Sequence, residues 1–218
     1  MDYTTHDIVN AFRSARLQYI RADESDEALK SFIPQIIDDP LIQVMSSPNA
    51  LQPQAKSNCG PYLKSVCDSL LGVAIALLPE EDGSQDHVAD GEATKPSPKP
   101  PVFIGIMCLG WGGIRPSIAH HRTAEVGISL AKPYQDKGYG GEALNWVLDW
   151  GFKHVGMHSI GISAASYNPK AIHLYEKVGF TLEGRRRQRI WQNRKWYDLI
   201  DLGMTEEEWE KMRGLTPA

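Results

Sequence analysis

Gly138, Gly140 and Gly141, three glycines within four residues, stand directly behind Gln135, Asp136 and Lys137. They lead into an amphipathic run in which Leu144, Val147, Leu148, Gly151 and Phe152 share one helical face. Glycine removes a side chain where a backbone must approach something closely or take a positive φ. The free N–H groups of a helix start, with the positive end of its dipole, suit a phosphate or pyrophosphate. Lys137 adds a full charge, and the amides from Gln135 through Asp136, Lys137, Gly138, Tyr139 and Gly140 to Gly141 are the candidate cradle. The plainer alternative is a glycine-rich turn before a core helix. Gly138-x-Gly140-x-x-Ala143 also matches a dinucleotide fingerprint formally, but seven residues separate it from the apolar strand ending at Leu130. The stretch from His158 to Ser166 offers no acidic residue for a ribose, and no Gly-Lys-Ser/Thr follows, so neither a dinucleotide site nor a Walker loop fits.

Other residues with chemical capacity are scattered. Asn168 precedes Pro169, and such a pair starts a helix because asparagine caps it and proline suits the first turn. Tyr175 shares a face with Ile172 and Val178, which also fits a packing role. Glu125 opens an alternating run, and Glu142 in a first helical turn is explained by the dipole. His120 and His121 are outside candidates for acid–base work. His154 and His158 have i,i+4 spacing without the glutamate of a metalloprotease motif, so no metal site is expected. Arg185, Arg186, Arg187, Arg189, Arg194 and Lys195 read as a solvated basic strand edge, with contacts to a cofactor phosphate, an acidic substrate or RNA as the alternatives, and Trp191, Trp196 and Tyr197 read as core or dimer surface without the regular spacing of a stacking platform.

Taken together, Gln135-x-x-Gly138-x-Gly140, Asn168-Pro169-x-Ala171 and Tyr175-Glu176-Lys177-Val178-Gly179-Phe180 resemble the GNAT superfamily of N-acetyltransferases. Glu183-Gly184-x-Arg186 and Trp196-Tyr197-Asp198-x-Ile200 are similar to its ribosomal-protein and spermidine acetyltransferase branch. The resemblance runs from Glu125 to Met204. It implies a mixed α/β fold: a central, mostly antiparallel sheet with one splayed parallel strand pair and flanking helices. It further implies acetyl-CoA as co-substrate, with the pantetheine arm bonded to the backbone of Ile128 and Leu130 and the pyrophosphate on the loop from Gln135 to Gly141. Asn168 would reach the pantetheine, Tyr175 would protonate the departing thiolate, and Glu125 would serve as base through water. The implied reaction is direct acetyl transfer in a ternary complex to a primary amine: a protein N-terminus, a polyamine, an amino acid or another small amine. A homodimer is implied by the same analogy. A non-catalytic module that binds acyl-CoA is the alternative.

The elements that must position these residues are legible in part. Ala15–Arg21 alternates as a first strand, and Ser25-Asp26-Glu27 opens a helix through about Ile37 that Pro34 can bend. From Asp39 to Lys64 the prolines, serines and asparagines predict irregular chain or one short helix. Leu70–Leu78 and Val102–Leu109 read as buried strands, Glu125–Leu130 and Ser159–Ser163 as parallel neighbours, and Trp196–Met204 as the last strand. Helices are expected from Gly138 to about His154 and from Asn168 to Gly179. Strands are thus expected to predominate early and βαβ units late, in one domain over residues 1–218. Residues 79–101, acidic and then rich in proline and lysine, read as a flexible insertion. Acceptor contacts are expected from the first helix, from Asp39–Lys64 and from Arg115–Arg122.

Bulk properties exclude several classes. With 42% hydrophobic and 23% charged residues the 218-residue chain can bury a core, and it is not fibrous or disordered in composition. A net charge of −4 leaves no specific nucleic-acid partner expected. No apolar run is long enough to span a bilayer, and the first residues lack a signal-peptide pattern, so a cytoplasmic location is expected. Cys59, Cys67 and Cys108 are odd in number and read as reduced thiols.

Overall fold

The computed structural model describes residues 8–47, 49–78 and 100–215. Seven strands form the framework: β1 (Leu17–Arg21), β2 (Leu71–Leu77), β3 (Phe103–Leu109), β4 (Thr123–Leu130), β5 (Ser159–Ala165), β6 (Thr181–Gln192) and β7 (Lys195–Thr205). They lie in the order β1-β2-β3-β4-β5-β7-β6, every neighbouring pair antiparallel except β4 and β5. The helices are α1 (Glu27–Phe32), α2 (Pro34–Ile37), α3 (Pro40–Ser46), α4 (Cys59–Cys67), α5 (Tyr139–Lys153), α6 (Pro169–Val178) and α7 (Glu206–Arg213). The mixed, mostly antiparallel architecture with one parallel pair is the one the resemblance implied.

Every residue of β2 and β3 is buried, because helices cover both faces of the sheet there. On one face Leu29, Phe32, Ile33, Ile36, Ile42, Leu63 and Val66, from α1 to α4 and the residue joining α1 to α2, pack on Ala74, Ala76 and Ile106. On the other, α5, α6 and α7 supply Leu144, Val147, Leu148, Tyr175, Val178 and Trp209 against Ile104, Met107, Val126 and Ile160. Unbroken apolar sequence in Leu71–Leu77 and Phe103–Leu109 follows from this double coverage. Gly72 permits a close approach within it: a Cβ there would fall inside the Val66 carbonyl group on α4.

The early part differs from expectation. After β1 come four helices, not further strands, and Asp39–Lys64 is more helical than its prolines predicted. Pro40 occupies the first turn of α3, where its missing N–H costs nothing, and the Asp39 carboxylate accepts from the amides of Leu41 and Ile42 at 2.8 and 3.1 Å. A 3₁₀ turn, Lys56–Asn58, runs into α4. The expected long first helix is split into α1 and α2 at Pro34, after capping by Asp26. The terminal α7 was not anticipated, although Thr205 and Glu208 form a capping box that the sequence displays. Apart from Pro100 and Pro101, the expected insertion lies outside the described residues.

Candidate active site

β4 and β5 pair only over Thr123↔Ser159, Ala124↔Ile160 and Glu125↔Gly161. Beyond that point β4 continues along β3, and β5 along β7, so the two strands part. The carbonyl of Glu125 accepts from Gly110 and the amide of Ala131 donates to Ile104, so the odd-numbered residues of β4 turn their backbone groups toward β3. By alternation Ile128 and Leu130 turn theirs toward the gap. A sheet interior has thereby been left with unpaired backbone donors and acceptors, which a ligand can satisfy.

The glycine loop closes one end of this gap. Gln135 Nε2 donates to the Leu130 carbonyl at 2.9 Å, which folds the loop back onto the strand end. Asp136 (φ 59°) and Gly138 (φ 83°) both take left-handed backbone, and Gly138 is the N-cap of α5 with no side-chain cap bond. The first amides of α5 are therefore left for a ligand. A Cβ on Gly140 or Gly141 would sit 3.3 or 3.4 Å from Leu174 of α6, so these two glycines bring α5 and α6 together at the loop. The Asp136 carboxylate is held by Lys170 at 2.9 Å, which offsets its repulsion of an anion, and Lys137 lies over the Tyr134 ring. The Tyr139 side chain is buried in the core, so only its amide is left for the cradle.

The loop is braced from a distant stretch that the sequence did not reveal. Glu142 accepts from the Arg16 amide (2.7 Å), Arg16 Nε (2.9 Å) and Ser14 Oγ (2.7 Å), while Arg16 Nη1 donates to the Lys137 carbonyl at 3.1 Å. The Arg16 guanidinium also lies over the Tyr139 ring. Glu142 is thus a strut, and its partners were invisible because nothing local links residues 126 apart.

Each polar side-chain atom of Asn168 has one partner. Its Oδ1 accepts from the Ala171 amide at 3.2 Å, capping α6, and its Nδ2 donates to the Met45 carbonyl of α3 at 3.3 Å. Tyr175, about two turns further on, is 8% exposed, with its ring edge-on to Phe180. No hydrogen bond to its hydroxyl is found among the described residues, and no fully enclosed polar side-chain atom there is left unpaired, so this hydroxyl reaches the surface. Burial pushes its pKa up to about 12, which keeps it a proton donor at neutral pH.

Glu125 stands where the strands last touch, its Cγ 3.5 Å from where a Gly161 Cβ would lie. It is exposed, on the face opposite Val126, and borders a groove of about 330 Å³ shared with Glu183, Arg186 and Asp201. Arg186 grips Asp201 through Nε and Nη2 at 2.7 Å each, and this bond, helped by Glu125, raises its pKa and keeps it charged. Asp201 is thereby neutralised, while Glu125 and Glu183 have no ion-pair partner among the described residues. The groove favours a cation. Glu183 and Asp201 were missed as site residues because their signal is only a carboxylate on alternate strand positions. His120 and His121 lie against each other with tilted rings, exposed, at the opposite end of β4 from the loop. No group of histidines, cysteines and carboxylates suited to a metal is found among the described residues.

Burial raises the pKa of Tyr19 and Tyr62 as well as Tyr175, and takes the Cys108 thiol to about 11. Each folded-state value lies above its unfolded one, so the unfolded chain releases these protons first. The associated stability is full at neutral pH and is lost as pH rises, from about 9 for the thiol and about 10 for the phenols. Urea midpoints should hold from pH 7 to 8.5 and fall clearly by pH 10.5; a flat profile to pH 11 would contradict the burial assigned to these groups.

Residues 94–181 match the family described as acetyltransferase (GNAT) domain. A spermidine N(1)-acetyltransferase of Vibrio cholerae is 38% identical over 79 residues, 36% of this chain and 46% of that protein. A putative ribosomal N-acetyltransferase of Bacillus subtilis is 30% identical over 90 residues, 41% of this chain and 49% of that one. The matched stretch thus spans about half the length of these relatives. In fold, the chain is similar to the crystal structure of the Vibrio cholerae spermidine N-acetyltransferase in complex with CoA and spermine, with a TM-score of 0.66 at 21% identity, covering 90% of this chain and 99% of that one. A GNAT-family acetyltransferase from Bacillus anthracis gives the same TM-score at 17% identity, covering 90% and 98%. No described helix is long and apolar enough to cross a membrane. The parted strands and the glycine loop at their end thus accompany a likeness to GNAT acetyltransferases, in sequence over residues 94–181 and in fold over most of the chain.

Proposed function

We propose that this protein transfers an acetyl group from acetyl-CoA to a primary amine, by direct attack of the amine within a ternary complex. The observation that carries the reading is the parting of β4 from β5 immediately beside a helix N-terminus free of side-chain caps. The amides from Gln135 to Gly141 hold the pyrophosphate, and the gap-facing backbone of Ile128 and Leu130 holds the pantetheine. The thioester supplies the acyl group; the chain's residues position it and move protons. Tyr175 gives its phenolic proton to the departing sulfur, and Asn168 fixes the start of the helix that carries Tyr175. Glu125 accepts, through water, the proton that the amine must lose before it attacks. Glu125 and Glu183, in no ion pair among the described residues, fit the charge of a protonated amine, and the names of the spermidine and ribosomal relatives support amine acceptors of both small and protein kinds.

The test is thiol release from acetyl-CoA by purified protein, scanned across polyamines, amino acids and short peptides. Release that requires one of these amines supports the reading. If CoA binds but no amine provokes release, a non-catalytic CoA-binding module replaces it. Gly138→Val serves as the control on the loop. At φ 83° a β-branched residue is strained, and its Cβ would also press on Arg16, 3.3 Å from that position. A strain of about 1–3 kcal/mol predicts a CoA affinity weakened about 10- to 100-fold by calorimetry. Unchanged affinity would remove the loop from the binding site.

A further inference from the structure

Of the two expected places for Trp191 and Trp196, core or dimer surface, the core is ruled out: they are 55% and 56% exposed and no described element covers them. They face each other across the β6–β7 hairpin as cross-strand partners, with ring centroids 5.1 Å apart and planes 57° apart. The turn between them is Asn193-Arg194, both in left-handed backbone. On their other side the register slips between Arg186 and Ile190, so Arg187, Gln188 and Arg189 bulge from the ladder. The bulge is fixed by the Gln188 amide, which donates to Asp198 at 2.8 Å. Arg185 and Arg186 are paired with Asp198 and Asp201. Arg187, Arg189, Arg194 and Lys195 are exposed, with no carboxylate in ion-pair range among the described residues.

Two open indoles amid four unpaired cations form a combination that neither solvation nor self-association explains. An exposed indole is unfavourable in water unless something covers it, and clustered exposed apolar surface marks a contact site. Two copies meeting here would bring eight unpaired cations together, which opposes a symmetric dimer on this hairpin. A polyanion relieves the charge, and one that carries flat aromatic groups also covers the rings. We propose that the β6–β7 hairpin is a docking surface for single-stranded RNA, with bases stacked on Trp191 and Trp196 and phosphates met by Arg187, Arg189, Arg194 and Lys195. The expectation of no specific nucleic-acid partner rested on overall acidity. Here the charge is local, and the recognition is of strand chemistry, not of sequence.

The experiment uses the full chain and a labelled oligouridylate of twelve nucleotides, followed by anisotropy at 50 and 200 mM salt. Binding should weaken steeply with salt, quench tryptophan fluorescence, and fall at least about 10-fold in the Trp191→Ala/Trp196→Ala variant. Arg187→Gln/Arg189→Gln should flatten the salt dependence. CoA affinity, measured in parallel, should be unchanged in every variant, which separates loss of docking from loss of fold. Three results would overturn the proposal: no binding at 50 mM salt, equal binding of polyglutamate, or binding indifferent to both indoles. Concentration-dependent self-association abolished by the same tryptophan substitutions would instead make the hairpin an interface between copies, and would equally overturn it.

Discussion

Tyr175→Phe should lower the turnover number of acetyl transfer by about 10²- to 10³-fold while leaving the KM for acetyl-CoA within about twofold. The substitution deletes one oxygen and keeps the ring, so the edge-on contact with Phe180 and the packing beside Val178 persist. Since no described partner bonds the hydroxyl, its removal strands no donor or acceptor in the protein. Stability at pH 7 should therefore stay within about 0.5 kcal/mol of the parent, and the whole loss should fall on the chemical step. Steady-state kinetics with saturating amine, beside a urea titration, separates the two quantities. A turnover within threefold of the parent would strip Tyr175 of the acid role. A large drop in stability would show that the hydroxyl is part of the core. Because the phenol holds its proton to about pH 12, it adds no alkaline limb to the rate profile below about pH 11.

The largest structural effect is expected at Gly72. Gly72→Ala places a methyl group inside the Val66 carbonyl group, and both atoms belong to backbone that sheet and helix hold in place. The conflict is relieved only if α4 lifts from β2, which withdraws Leu63 and Val66, 2% and 0% exposed, from their contacts. Overpacking of this kind costs about 3 kcal/mol, or about 6–12 °C in Tm for a chain of this size. Gly60→Ala is the matched control on the same helix: nothing lies within 4 Å of the added carbon, and alanine suits a helical position better. Differential scanning fluorimetry should find the first variant strongly destabilised and the second equal to or above the parent. Equal melting of Gly72→Ala and the parent would mean that α4 does not press on β2 as described.

Elements with a strong local signature were legible. Asn168-Pro169 and Gly179 bracket α6 because cap, first-turn proline and left-handed stop are all chemistry of neighbouring residues. The unbroken apolar runs of β2 and β3 are legible for the same reason. What escaped depended on partners distant in sequence. Trp191 and Trp196 read as core or dimer surface because indoles are usually covered, and nothing in the hairpin announces that no described helix reaches them. Pro40 and Pro61 read as breakers, although each sits in a first helical turn where proline is tolerated. Glu142 could be explained by its own helix dipole, which concealed Arg16 and Ser14. In the groove, Glu183 and Asp201 join Glu125 only because β6, β7 and β5 lie side by side.

The strut between Arg16 and Glu142 also sets a schedule. During synthesis Ser14 and Arg16 leave the ribosome long before Glu142 is made, and the glycine loop lacks its brace until the two ends meet across 126 residues. Such closure is a late event, since the cost of ordering the intervening chain must first be met by the strands and helices between. The chain therefore acquires its sheet before it acquires a finished glycine loop.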